Sequence, residues 1–135
     1  MNYKIEEIEG IGPAYSKKLA AAGVKTTGEL LKRGGKPAGR KELESASGIS
    51  GAQILKWCNL ADLMRVSGVG KQYSELLEAA GVDTIKELRN RNASNLAAAL
   101  KEVNAKKKLS RTSPAESMVQ KWVAQAKRLA PAVTY

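Results

Sequence analysis

The chain has 135 residues, 43% of them apolar, with 23 Lys and Arg against 13 Asp and Glu and no histidine. The missing histidines exclude a Ser-His or Cys-His nucleophile and any histidine-bound metal, and the single cysteine, Cys58, excludes an internal disulfide and a Cys-based zinc site. The net charge of +10 favours a polyanionic partner, nucleic acid before an anionic membrane. That charge is uneven: residues 1–60 carry +4, residues 61–100 are neutral, and residues 101–135 carry +6. With no Phe, two Trp and four Tyr, the core has to be built from Leu, Ile, Val and Ala, and the absence of β-branched runs makes the chain all-α. The first residues lack an apolar signal core, and no segment is long enough to span a bilayer, so a cytoplasmic protein is expected.

In chain order, a short helix is predicted from Tyr3 to Ile8, broken by Gly10 and Gly12. Pro13 then suits the first position of a second helix, where its missing N–H is no loss. Gly23 stops that helix, and Thr26 with Glu29 forms a capping box for the third. A turn at Gly34–Pro37 leads to a fourth helix over about 38–46, ended by Gly48. Ser50 opens a fifth, apolar helix over about 51–66, which carries Trp57 and Cys58. Further helices are expected near 72–80, 84–91 and 94–107. A last one starts from Ser113-Pro114-Ala115-Glu116, read as a capping box, and runs to about Leu129. Cys58 reads as a small core residue in a reducing compartment.

The chain repeats itself. Residues 8–30 match 66–88 at a constant offset of 58, with 12 of 23 positions identical. Gly10-Ile11-Gly12 returns as Gly68-Val69-Gly70, Tyr15 as Tyr73, and Ala21-Ala22-Gly23-Val24 as Ala79-Ala80-Gly81-Val82. Later, Lys56-Trp57 returns as Lys121-Trp122 at an offset of 65. Seven residues have therefore been added, and they fall in the basic stretch Ala105–Arg111. A repeat of this length fixes the architecture ahead of local propensity. Two repeats, 1–65 and 66–135, joined by the fifth helix, predict one rigid domain.

Gly-Ile-Gly-Pro and Gly-Val-Gly-Lys, each between an apolar helix and a helix rich in Leu and Ala, resemble the hairpins of helix-hairpin-helix proteins. Ala21–Leu31 resembles the third-helix region of the same superfamily, which includes the C-terminal domain of the bacterial RNA polymerase alpha subunit. Along its full length the chain resembles small tandem helix-hairpin-helix proteins grouped as domain of unknown function 4332; Gly39-Arg40-Lys41-Glu42-Leu43, Gly48-Ile49-Ser50 and Ala61-Asp62-Leu63-Met64-Arg65 carry that resemblance. It implies an all-α fold of two pseudo-symmetric helix-hairpin-helix repeats, fused through a long shared helix into one compact SAM-like bundle. It also implies that hairpin backbone N–H groups hold a phosphate of DNA, which glycine permits by letting the main chain turn sharply and approach closely. In some such hairpins the loop carbonyls hold a monovalent cation, and this sequence is compatible with that.

The expected activity is non-enzymatic, sequence-independent nucleic-acid binding, with double-stranded DNA as the partner. Its residues would be Gly10, Ile11, Gly12, Lys17 and Lys18 at the first hairpin and Gly68, Val69, Gly70 and Lys71 at the second. Lys106, Lys107, Lys108 and Arg111 would serve in the basic insertion. Glu75 and Glu78 follow the second hairpin, which favours the first as the stronger phosphate clamp. Replacing Gly12 by Val is expected to cost binding and stability together. The competing reading is a protein–protein adaptor with structural hairpins, whose basic segment meets an acidic partner. Tyr15, Tyr73, Trp57 and Trp122 read as core residues rather than base-stacking platforms.

Overall fold

The computed structural model describes residues 2–135. Within them a short 3-10 helix, Ile5–Glu7, is followed by α1 (Pro13–Ala21), α2 (Thr27–Gly34), α3 (Pro37–Ser47) and α4 (Gly51–Leu63). Then come α5 (Gly70–Ala79), α6 (Ile85–Leu88), α7 (Ala93–Lys107) and α8 (Glu116–Ala126). The described residues are all-helical apart from an isolated bridge between Lys4 and Thr26. None of these helices is long and apolar enough to cross a membrane. Contacts divide the chain into two compact units. One ends at Asp62 and takes in Ala132–Tyr135; the other is Leu63–Pro131.

In the first unit Pro13 opens α1 as the first helical residue. The Thr26 hydroxyl caps α2 by accepting from the Glu29 amide at 3.1 Å. The Glu29 carboxylate does not close the expected box on Thr26's own amide; it accepts from the Lys25 amide at 3.0 Å, one residue earlier. Ile5, Ile8, Leu19, Val24, Leu30, Leu43, Ile54, Trp57 and Cys58 form the buried interior. Arg40 is buried among them without a carboxylate on its guanidinium hydrogen bonds. It donates to the carbonyls of Gly34 and Gly35, each at 3.0 Å, and to that of Thr134 at 2.7 Å. The amide of Thr134 donates in turn to Gly35 at 2.8 Å, and Val133 is buried, so the last four residues are packed as part of this unit.

In the second unit α7 packs on α8 over a core that includes Val66, Leu76, Leu77, Ile85, Leu96, Leu100, Val119 and Trp122. Several boundaries differ from the sequence reading. The expected fifth helix stops at Leu63, where the Val66 amide turns back to the Leu63 carbonyl at 3.1 Å. Thr84 makes no side-chain cap, and α6 has a single turn. There the Asn90 side chain takes the Lys86 carbonyl and the Arg91 amide tightens onto Leu88. The Ser113–Glu116 box does not form: Ala115 is extended and α8 begins at Glu116 with no side-chain cap. Pro114 is instead buried, lining a groove with Ala97 and Ala98 of α7.

Cys58 is fully buried, its Sγ 3.4 Å from the Gly34 carbonyl oxygen. Burial pushes its thiol from the ordinary 9.0 up to about 12. The folded chain holds that proton more tightly than the unfolded chain does. The resulting stability is therefore intact below about pH 9 and is lost as pH rises towards 12. Native protein should resist a thiol-alkylating reagent at neutral pH while urea-unfolded protein reacts freely; equal rates would place Cys58 at the surface.

Candidate nucleic-acid interface

Both Gly-x-Gly turns have the same first half. Gly10 and Gly68 sit at φ +92° and +91°, a conformation that only glycine adopts without strain. The Ile11 amide donates to the Ile8 carbonyl and the Val69 amide to the Val66 carbonyl, each at 3.2 Å. Ile11 and Val69 are buried. Their amides thus close the turns themselves. The Ile8 and Val66 carbonyls are likewise engaged, so a hairpin cation would have to share them. Beneath each turn lies an indole: a side chain at Gly10 would meet Trp57 Nε1 at 3.6 Å, and one at Gly68 would meet Trp122 Nε1 at 3.4 Å. Tyr73, half-buried, is tilted against Trp122 at 5.3 Å, whereas Tyr15 packs edge-on against Trp57 at 5.1 Å but stays exposed, which corrects its reading as a core residue.

The second glycines differ. Gly12 has φ −87° and ψ −176°, ordinary extended backbone, and a side chain there would meet nothing within 4 Å. Gly70 has φ +58° and is itself the first residue of α5. Neither Gly12 nor Val69 caps its helix with a side chain. The stability cost expected of Gly12→Val is therefore not supported by the backbone; the strained position is Gly10.

Electrostatics also separate the two turns. At the first, Lys17 and Lys18 are exposed on α1, with Lys18 Nζ 6.0 Å from the Tyr15 ring centroid. The same helix start faces an acid, since Ser16 Oγ donates to Glu6 Oε1 at 2.7 Å, with Glu7 and Glu9 exposed nearby in sequence. At the second, Lys71 is exposed and Gln72 lines an open groove of about 890 Å³. Lys101, Lys108 and Arg111 supply the charge of that groove, and Ser110, Thr112 and Ser113 supply hydroxyls. Glu75 and Glu78 are half-buried and are not among its lining residues.

The basic insertion is held in place. Asn104, on the inner face of α7, donates to the Ser110 carbonyl at 3.0 Å and accepts from the Ser110 amide at 2.9 Å. Lys108 ends α7 in the left-handed conformation at φ +51°. The four insertion cations therefore part company. Lys108 and Arg111 line the groove, whereas Lys106 and Lys107 do not, and Lys106 pairs with Glu102 at 3.4 Å. Lys101 was missed in the sequence, although it lies seven residues before Lys108 and so shares its helix face.

The sequence matches the family described as domain of unknown function (DUF4332) over residues 9–129. The chain belongs to that family. Searches of curated proteins and of solved structures return no match. The span matched to the DUF4332 family covers both turns and the basic insertion.

Two stability predictions follow from the turns and the insertion. Gly10→Ala should lose about 1–3 kcal/mol in urea denaturation, the cost of a side chain at a glycine-only backbone angle, while Gly12→Val should lose no more than about 1 kcal/mol, the difference in helix-capping preference. Asn104→Ala should lose about 1–3 kcal/mol through the freed Ser110 groups and should speed amide exchange at Ser110; unchanged exchange would mean that the loop is pinned by something else.

Proposed function

We propose that the protein is a non-enzymatic, sequence-independent nucleic-acid-binding module of the cytoplasm, with duplex DNA as its ligand. The observation that carries this reading is the groove that joins Gln72, in the first turn of the helix after the second Gly-x-Gly, to Lys101, Lys108 and Arg111. The helix that follows the second turn and the basic insertion thus meet at one surface within a single unit. The unit's charge supports the same reading: Leu63–Pro131 holds thirteen basic and six acidic side chains, a net +7, against +3 for the rest of the chain. Phosphate contacts of this kind position a protein without reading sequence. In the unit that carries the groove the Tyr73 ring is half-buried against Trp122, which favours a duplex backbone over stacked single-strand bases.

In this reading the second helix-hairpin-helix is the stronger clamp, reversing the order expected from sequence, because Glu6 stands against the start of α1 at the first. Gly70 and Lys71 bring the chain to the groove, and Lys101 joins Lys108 and Arg111 as phosphate ligands. Lys106 and Lys107 contribute long-range attraction only.

Fluorescence anisotropy with a random-sequence duplex, titrated between about 50 and 200 mM salt, tests it. Replacing Lys108 and Arg111 by Ala should lower the log–log salt slope by about 1.8, two phosphate contacts' worth. Replacing Lys106 and Lys107 should change it less. Equal effects of the two pairs would remove the groove from the reading. An absence of binding at low salt, with binding of a labelled acidic peptide instead, would establish the adaptor.

A further inference from the structure

The second unit has another basic groove, at the opposite end of α7. It encloses about 530 Å³ and is lined by Arg91, Asn92, Gln120, Ala124, Lys127 and Arg128 among others. All its charged lining residues are cations. Other surface grooves are different: the one between α3 and α4 includes Glu44, whose carboxylate accepts from the Gly51 amide, and the one beside Pro114 includes Glu116.

The groove is built rather than a chance scatter of side chains. Arg91 is half-buried and its Nη2 donates to the Gly81 carbonyl at 3.2 Å, which fixes the guanidinium at one wall. Asn92 already caps α7 by accepting from the Asn95 amide at 3.0 Å, so the attraction for an anion comes from the three cations and not from an open helix end. Gln120, Lys127 and Arg128 come from α8 and the turn that ends it, and all three are exposed.

The internal repeat supplies an independent comparison. Arg91 has its counterpart in Arg33, which also binds a main-chain carbonyl, that of Ala22, at 2.7 Å. At the offset that aligns Trp122 with Trp57, however, Lys127 and Arg128 correspond to Asp62 and Leu63, and both of those are buried. The shared plan therefore provides the arginine, and the second unit alone adds two exposed cations beside it. General solubility would not single out this place.

We propose that this groove is a second site for nucleic-acid backbone phosphate, so that the unit grips two stretches of backbone from the two ends of α7. The inference rests on the proposed function and adds Arg91, Gln120, Lys127 and Arg128 to its contacts. Between Ala93 and the residues from Lys101 to Lys108, α7 rises by about 12–22 Å. A duplex whose axis runs along it passes about four to six phosphates of each strand between the grooves, at about 3.4 Å of axis each. Gln120 and the arginine forks donate hydrogen bonds to phosphate oxygens, and Lys127 acts as a point charge.

The test uses the full chain and a random-sequence 20-base-pair duplex, with anisotropy read across the same salt range. Four proteins are compared: wild type, the pair Lys127→Ala and Arg128→Ala, the pair Lys108→Ala and Arg111→Ala, and an equal-charge control, Lys25→Ala with Lys32→Ala in the first unit. The Lys127/Arg128 pair should lower the salt slope by about 1.8, additively with the Lys108/Arg111 pair, and Lys127→Arg alone should keep it. A slope no lower than the control's overturns the second site while leaving the proposed function standing if the Lys108/Arg111 pair still acts. Loss of slope in the Lys127/Arg128 pair alone would keep this site and overturn the other groove. A wild type that does not bind the duplex overturns both.

Discussion

Each unit is organised around one buried indole. In a chain without phenylalanine, Trp57 and Trp122 are the two largest side chains of the interior, and each lies under the glycine that begins a Gly-x-Gly turn. The turn takes this path because that glycine accepts a positive φ. A tyrosine from the following helix closes each indole from the side. Beside each indole the turn is closed by the Ile11 or Val69 amide, and those two side chains are buried. The arrangement has a cost at Trp57, whose indole N–H is buried and finds no acceptor among the described residues.

Much of this was legible in the sequence because it rests on residues with few alternatives. Glycine pairs, a proline at the start of α1 and tryptophans in apolar stripes can do little else, and each stands where its chemistry put it. Polar signals were less dependable. Thr26 caps a helix and Thr84, its repeat, does not; Ser113-Pro114 has the form of a helix start, but the proline ring is buried and extended chain results. A capping motif describes what a segment can do locally, and tertiary burial decides whether it does. The grooves were the hardest to see. Lys101, Arg91 and Lys127 are unremarkable in a basic sequence and gain meaning only when α7 and α8 pack and leave clefts between the loops that flank them.

The two units share a plan but not an electrostatic character. The first has carboxylates at its turn, with Glu6 bonded to Ser16, and Asp62 buried where the second carries Lys127. The second has three cations in each of two grooves, Lys101, Lys108 and Arg111 in one and Arg91, Lys127 and Arg128 in the other. The two turns share their first half, with Gly10 and Gly68 at φ +92° and +91°, and part at the second glycine, while the charged positions around them differ.

The last four residues have a consequence for how the protein is made. Unit one is discontinuous: Arg40, buried near its centre, takes one of its three acceptors from Thr134, and Val133 fills part of its interior. On a ribosome adding about 5–20 residues per second, the 69 residues from Leu63 to Pro131 impose a wait of roughly 3–14 s between the main body of that unit and its final segment. During that interval the Arg40 guanidinium lacks one of its three acceptors, the Thr134 carbonyl. The later half of the chain thus has the opportunity to fold first, and the order of folding need not follow the order of synthesis.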